Sequence, residues 1–181
     1  SYKLIIMNLN YVDLFSGAGG MGDGFHSAGY DPVYINDSDP WAIKTIQLRK
    51  AYWELKNSNN IDLYYDYIES KLESFPSFYD PTEFLKSNKN LAYIVDSLAS
   101  SIELNKSNIS DHYSNINNNL NDMEHNDVDV IAGGPPCQAY SYTARSRFSK
   151  INDNTWGSKK ENKKRRKQLN YDKRHQLYEL Y

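Results

Sequence analysis

The stretch Tyr11-Val-Asp-Leu-Phe-Ser-Gly-Ala-Gly-Gly-Met-Gly22 decides the fold of this chain. Its first five residues are mostly apolar, β-branched or aromatic and lead into glycines, which predicts a short buried strand and then a tight turn. Three of the glycines fit the spacing G-x-G-x-x-G: Gly17, Gly19 and Gly22. Between a strand and a helix, such glycines let a bound molecule approach the backbone closely. The alternative is that they serve only the turn.

The residues after this turn predict a helix, a second strand and a second helix. Apolar residues first recur at helical spacing: Met21, Phe25 and Ala28. Gly29 is a typical helix end, and Val33–Asn36 has the composition of a strand. Asp39 and Pro40 fit the N-cap and first position of the next helix. Its apolar residues are Ala42, Ile43, Ile46, Ala51 and Leu55. This order predicts an α/β fold, in which crossover helices flank a parallel sheet.

The middle of the chain interrupts this pattern. Residues 61–104 are helical in periodicity and rich in tyrosine and phenylalanine, which predicts a helical insertion with turns near Pro76 and Pro81. Residues 105–126 are dominated by asparagine and serine and predict a surface loop. We therefore interpret 57–126 as a helical and Asn-rich insertion. Val128–Ala132 predicts another buried strand, which ends at Gly133-Gly-Pro-Pro136.

An acidic residue follows the glycine turn at the distance expected for a nucleotide site. Asp37 directly follows the second predicted strand, 20 residues after Gly17. In strand–turn–helix folds, a carboxylate at this place usually binds ribose hydroxyls. An adenosine-containing cofactor is therefore expected, and the pattern by itself fits NAD, FAD and S-adenosylmethionine equally.

Composition and length narrow the class of protein. The 181 residues give room for one domain, and 39% hydrophobic with 24% charged residues is typical of a soluble globular protein. No run of 18 apolar residues is present, and Ser1–Asn10 lacks the cleavage site of a signal peptide. The single cysteine, Cys137, excludes a disulfide within the chain and a cysteine cage for a metal, so we expect no metal site.

The net charge of −2 hides an uneven distribution. Residues 1–144 carry 9 Lys+Arg and 19 Asp+Glu, whereas residues 145–175 carry 12 Lys+Arg and 3 Asp+Glu. An acidic body joined to a basic segment suggests a polyanionic partner on one side. A solvated charged face is the alternative.

Cys137 follows the Pro135-Pro136 step, where the predicted sheet presents its carboxyl edge. Ligands bind at this edge in open α/β sheets, although a lone cysteine is more often an inert buried residue. In these residues the sequence resembles the DNA (cytosine-5) methyltransferases. Four segments resemble that family's motifs, in the family's order: Asp13-Leu-Phe-Ser-Gly-Ala-Gly-Gly20, Asn36-Asp-Ser-Asp-Pro-Trp-Ala42, Gly134-Pro-Pro-Cys-Gln-Ala-Tyr-Ser141 and Asp172-Lys-Arg-His-Gln-Leu-Tyr178.

The resemblance implies a Rossmann-like methyltransferase fold and a reaction. A methyl group would pass from S-adenosylmethionine, leaving S-adenosylhomocysteine, to carbon 5 of cytosine in double-stranded DNA. Cys137 would add as a thiolate to carbon 6 of a base flipped from the duplex, and Pro136 would help to shape the cytosine pocket. The implied cofactor residues are Phe15, Ser16, Gly17 and Gly19 at the methionine end, Asp37 at the ribose, Ser38 and Asn108 at the adenine, and Leu177 from the fourth motif. Asp111 is a rival to Asn108.

The resemblance also gives the basic segment a role and sets the extent of the domain. Arg145, Arg147 and Lys150 fall where the family has a loop that closes over DNA, so they are expected to contact phosphates. The family's Glu-Asn-Val motif and target-recognition domain have no counterpart before Tyr181, so we expect 1–181 to be a partial catalytic domain that is inactive by itself. We expect a bacterial, cytoplasmic restriction–modification enzyme with a partner endonuclease. The alternatives are a methyltransferase acting on transfer RNA and an inactive cofactor-binding fragment.

Overall fold

The computed structural model describes residues 8–72 and 80–135. The chain divides after Gly133 into two units, and nearly all described residues belong to the first, Ser1–Gly133. Its strands are β1 (Asn10–Leu14), β2 (Asp31–Asn36), β3 (Ala99–Ser100) and β4 (Val130–Gly133). They form one sheet in the order β3-β2-β1-β4, and every neighbouring pair is parallel. The predicted α/β fold with a Rossmann-like parallel sheet is confirmed.

Helices connect these strands. The α-helices of the described residues are α1 (Gly20–Ser27), α2 (Pro40–Asn57), α3 (Asp62–Leu72), α4 (Thr82–Ser87) and α5 (Ile109–Asp122), and a π-helical turn covers Ile94–Leu98. The N-cap prediction for α2 is confirmed, because the Asp39 carboxylate accepts the Trp41 N–H at 2.9 Å. None of the described helices is both long and apolar enough to cross a membrane.

Two buried asparagines fix the sheet where its strands begin and end. The Asn10 side chain donates to the Asp127 carbonyl at 3.0 Å and accepts the Asp129 N–H at 3.1 Å, which joins the start of β1 to the start of β4. The Asn36 amide donates to the carbonyls of Ser100 (2.9 Å) and Ile102 (2.8 Å). A buried polar group stabilises a fold only when it is hydrogen-bonded, and both side chains meet that condition.

Among the described residues, two apolar core clusters include side chains of α2. The first cluster lies against the sheet and consists of Ile35, Ile43, Ile46 and Ala99. Further along the helix, the second cluster joins α2 to α4 and the π-helical turn through Ala51, Leu55, Leu85, Leu91, Ile94 and Leu98. The predicted apolar face of α2 thus packs against the sheet and against the segment that precedes β3.

Two expectations for the middle of the chain were wrong. Residues 105–126 are not a surface loop, because α5 occupies Ile109–Asp122 and buries His112, Asn119 and Leu120. Residues 57–126 are also more than an insertion, since β3 pairs with β2 and lies within them. Asn119 explains how a polar helix packs on the sheet: its amide donates to the Val33 carbonyl at 2.8 Å and to the Ser97 carbonyl at 3.2 Å.

Candidate cofactor site

The predicted site lies at the carboxyl edge of the sheet, beside the place where the strand order reverses. From β1 the chain proceeds through β2 to β3 on one side, whereas β4 pairs with the other side of β1. Within the described residues, β1 and β4 are parallel neighbours and their carboxyl ends lie at the same edge. Open α/β sheets bind their ligands at the carboxyl edge, beside the place where the strand order reverses.

The glycine turn after β1 has an unusual backbone. Phe15, Gly17 and Gly19 all have positive φ, at 57°, 54° and 83°. Glycine adopts this conformation freely, whereas a residue with a Cβ loses about 1–2 kcal/mol. Phe15 is therefore strained, and strain of this kind concentrates at functional sites. Ser16 stabilises the turn, because its N–H and its hydroxyl both donate to the Asn36 carbonyl, at 3.1 and 3.2 Å.

Gly19 connects the turn to two helices. It is the N-cap residue of α1, and its N–H donates to the Ser16 carbonyl at 3.0 Å. A Cβ on Gly19 would lie 2.8 Å from Cγ1 of Ile46 on α2, closer than side chains pack. Arg49, which the sequence did not single out, completes the connection. It donates to the Ala18 carbonyl at 3.3 Å and pairs with Asp23 at 2.6 Å.

Asp37 lies beside the glycine turn, as the sequence predicts. One carboxylate oxygen accepts the Gly17 N–H at 2.7 Å, and the other accepts the Asp39 N–H at 2.8 Å. The Asp37 N–H donates to the Ser100 carbonyl at 3.2 Å. The carboxylate therefore joins the turn after β1 to the start of α2, and the backbone N–H of the same residue joins them to the end of β3. Since a carboxylate has about four acceptor positions, it can still accept further hydrogen bonds.

Asp13 lies inside the fold, below the glycine turn. It is 1% exposed, and neither carboxylate oxygen has a hydrogen-bond partner among the described residues. Burial, reinforced by the nearby Asp37 carboxylate, raises the pKa of Asp13 to about 6. A cavity of about 20 Å³ borders Asp13, Gly22 and Lys50, which is enough room for one water molecule. The motif contained Asp13, but only the structure reveals that its carboxylate is unpaired.

The residues predicted for the adenine end are Ser38 and Asn108. Ser38 directly follows Asp37 and is exposed. The third strand ends at Ser100, so Ser101 is the residue that follows it, whereas Asn108 is the N-cap residue of α5. The Asn108 side chain makes local hydrogen bonds, to the Glu103 carbonyl at 2.7 Å and from the Asn105 N–H at 2.9 Å. Asn108 therefore lies at the start of α5, beyond the two-residue strand β3, and its role at the adenine stays a prediction.

The remaining predicted residues lie outside the described part of the chain: Pro136, Cys137, Arg145, Arg147, Lys150 and Leu177. The described strand that leads to the cysteine is β4, which ends at Gly133. β4 pairs in parallel with β1, with Gly133 opposite Leu14. The strand preceding the proposed nucleophile and the strand preceding the glycine turn thus end at the same edge of the sheet.

Known proteins resemble the chain over most of its length. A sequence model of the family described as C-5 cytosine-specific DNA methylase matches residues 9–78 and 81–171. Type II methyltransferase M.Bpa9945I of Bacillus paralicheniformis is 30% identical over 155 residues, which cover 76% of this chain and 32% of that protein. Type II methyltransferase M1.HphI of Haemophilus parahaemolyticus is 24% identical over 144 residues, 80% of this chain and 25% of that protein.

The chain therefore matches only part of each relative. A third relative, Type II methyltransferase M.PspPI of a Psychrobacter species, is 24% identical over 82 residues, which cover 45% of this chain and 20% of that protein. The aligned part thus spans between a fifth and a third of the length of these curated relatives. No solved structure matches the chain. The family match covers nearly the whole sequence, including the glycine turn and the segment with the cysteine, so the chain belongs to the C-5 cytosine-specific DNA methylase family.

Proposed function

We propose that the protein carrying this chain transfers a methyl group from S-adenosylmethionine to carbon 5 of cytosine in DNA. The observation that carries this proposal is the 2.7 Å hydrogen bond from the Gly17 N–H to the Asp37 carboxylate. It joins the glycine turn and the acidic residue at the carboxyl edge of a parallel sheet, where nucleotide cofactors bind. Membership of the cytosine-specific family then favours S-adenosylmethionine over NAD and FAD.

The described residues fit this cofactor. Gly17 is exposed, and in the described ranges no atom lies within 4 Å of a Cβ built on it, so the backbone there is open to a ligand. We assign the methionine end to Phe15, Ser16, Gly17 and Gly19. We assign the ribose hydroxyls to Asp37, whose carboxylate oxygens can each accept another hydrogen bond. At the adenine end Ser38 remains assigned, and Ser101 joins Asn108 as a candidate because it follows β3. Leu177 stays assigned to the cofactor.

Cys137 is the proposed nucleophile, with Pro136 shaping the cytosine pocket. The bound cofactor supplies a methyl group on a positively charged sulfur. The Cys137 thiolate adds to carbon 6 of cytosine, which makes carbon 5 nucleophilic enough to accept that methyl group. Loss of the carbon 5 proton then releases the thiolate. Carbon 6 cannot be reached inside the base stack, so the target nucleotide must flip out of the duplex.

The basic segment is the proposed contact with DNA. Residues 145–175 carry 12 Lys+Arg against 3 Asp+Glu, whereas the part before them is acidic. We assign phosphate contacts to Arg145, Arg147 and Lys150, because neutralising phosphates with Lys and Arg supplies most of the sequence-independent affinity for DNA. Such contacts position the duplex and do not specify its sequence.

The relatives also suggest a biological setting. All three are type II methyltransferases, so we propose that this protein acts in bacterial restriction–modification together with an endonuclease of matching specificity. Because the chain aligns with at most a third of each relative, we propose that the 181 residues supply cofactor binding and the nucleophile but transfer no methyl group by themselves.

The test is methyl transfer from labelled S-adenosylmethionine, measured with the full-length enzyme on duplex DNA and on transfer RNA. The proposal predicts label in DNA only, recovered as 5-methylcytosine after digestion. Label in transfer RNA alone would establish the RNA alternative. Tight cofactor binding without transfer to either acceptor would establish an inactive cofactor-binding protein.

A further inference from the structure

The Asp13 carboxylate is buried beneath the glycine turn with no group to neutralise it. The residue is 1% exposed, and neither of its oxygens has a hydrogen-bond partner among the described residues. On the two strands beside β1, Asp13 lies opposite Ile35 and Ala132, which are apolar. Native folds rarely bury an ionised carboxylate in such surroundings without a counter-charge. A positive charge held nearby would therefore stabilise the ionised form of Asp13.

The cations around Asp13 already have partners. The cavity beside it is also lined by titratable side chains of β1, α1 and α2: Tyr11, Asp23, His26, Arg49 and Lys50. Arg49 pairs with Asp23 at 2.6 Å, and the Lys50 amine lies 3.9 Å from the Glu54 carboxylate. Within the described ranges, neither cation hydrogen-bonds Asp13.

The other titratable groups near Asp13 supply no positive charge. The Tyr11 hydroxyl donates to the Gly22 carbonyl at 3.4 Å. Burial lowers the pKa of His26 and so favours its neutral form. Burial raises the pKa of Asp13, and the negative charge of Asp37, in the loop after β2, raises it further. A cation that stabilises Asp13 must therefore come from a ligand or from outside the described ranges.

The proposed cofactor carries a positive charge to the turn above Asp13. S-adenosylmethionine has a positively charged sulfur at its methionine end, whereas the sulfur of S-adenosylhomocysteine is neutral. We assigned that end to the turn that starts at Phe15, and a strand rises about 3.3 Å per residue, so the turn begins roughly 7 Å beyond Asp13. Two unit charges about 10 Å apart in a protein interact strongly enough to change an affinity roughly tenfold.

We propose that Asp13 distinguishes the charged cofactor from its product, because its carboxylate favours the sulfonium of S-adenosylmethionine over the neutral sulfur of S-adenosylhomocysteine. When the charged cofactor binds, the carboxyl group of Asp13 ionises and its proton passes to solvent. Loss of the methyl group removes the positive charge, and Asp13 takes a proton back. This inference rests on the proposed function, because it assumes that S-adenosylmethionine binds at the glycine turn.

The test compares the affinities of the two ligands by calorimetry on the full-length enzyme, at about pH 5 and about pH 7. Because the pKa of Asp13 is about 6, the residue is mostly protonated at the lower pH and mostly ionised at the higher. The preference of wild type for S-adenosylmethionine should therefore rise roughly five- to tenfold between these pH values. Asp13→Asn keeps the shape of the side chain and removes its charge, so its preference should stay constant.

Asp23→Asn is the matched control. Asp23 lines the same cavity, but its side chain is 40% exposed and paired with Arg49, so its charge is screened by solvent and by its partner. This variant should keep the rise in preference that wild type shows. Loss of the rise in Asp23→Asn as well as in Asp13→Asn would overturn the specific role of Asp13.

Proton release gives a second measurement, which needs no variant. At about pH 6, titrations in two buffers with different heats of ionisation should show that S-adenosylmethionine releases roughly 0.4 proton more than S-adenosylhomocysteine. Equal proton release by the two ligands, or a pH-dependent preference that persists in Asp13→Asn, would overturn the proposal. Failure of wild type to bind either ligand would instead contradict the proposed function.

Discussion

Replacing Gly19 by alanine tests how the glycine turn is held. The substitution places a Cβ on a backbone with φ of 83°, which costs about 1–2 kcal/mol. It also brings that Cβ to 2.8 Å from Cγ1 of the buried Ile46, and forcing extra volume into a packed core costs typically 1–3 kcal/mol. The expected loss in the free energy of unfolding is therefore about 2–5 kcal/mol. For a domain of this size, that lowers Tm by roughly 5–15 °C.

Gly17→Ala and Gly20→Ala are matched controls. Gly17 also has positive φ, but in the described part of the chain nothing lies within 4 Å of an added Cβ at either position. Gly17→Ala should thus lose only about 1 kcal/mol, and Gly20→Ala, at the start of α1, should gain about 0.4–1 kcal/mol. Chemical unfolding measures all three. Equal losses for Gly17→Ala and Gly19→Ala would refute the role of Ile46, and an unchanged Gly19→Ala would refute the whole account of the turn.

Two further predictions concern the carboxylates of the site. Asp37→Ala should weaken binding of S-adenosylhomocysteine by about 1–3 kcal/mol, the cost of losing hydrogen bonds to a charged group; unchanged affinity by calorimetry would remove Asp37 from the site. Asp13→Asn should raise the free energy of unfolding at pH 8 by up to about 3 kcal/mol, since the pKa of Asp13 rises on folding from 3.8 to about 6. Because the pKa of Asp13 is raised in the folded state, the wild-type protein loses stability as the pH rises from about 4 to about 6. The advantage of Asp13→Asn over wild type should therefore vanish below pH 4. An advantage that does not depend on pH would contradict the burial of an unpaired charge.

Periodic sequence patterns predicted the elements that hold the site. β1, β2 and α2 have strong apolar patterns and clear end signals, and the structure confirms all three. β3 could not be predicted, because two residues are too few for a period and they directly follow a π-helical turn. The sequence did not predict α5 because two of its three buried residues, His112 and Asn119, are polar, so no apolar stripe marks the helix. Asn119 faces the sheet there, and asparagine normally indicates a loop.

The same limit applies to the site. Asp37 and the glycines could be predicted, since their function depends on spacing along the chain. Asp13 could not, because what distinguishes it is burial without a hydrogen-bond partner among the described residues, which depends on how strands and helices pack together. Ser101 was not singled out for a related reason, since finding the residue that follows the third strand required the position of β3.

The most direct test of the central claim is covalent trapping of the full-length enzyme on duplex DNA that contains 5-fluorocytosine at the target base. Fluorine at carbon 5 cannot leave as a proton does, so a thiolate added at carbon 6 stays attached after methyl transfer. We predict a DNA–protein adduct that requires S-adenosylmethionine, is located at Cys137 by mass spectrometry and is absent from Cys137→Ser. An adduct of normal yield in Cys137→Ser, or one attached to another residue, would contradict the assignment of this chain's only cysteine as the nucleophile.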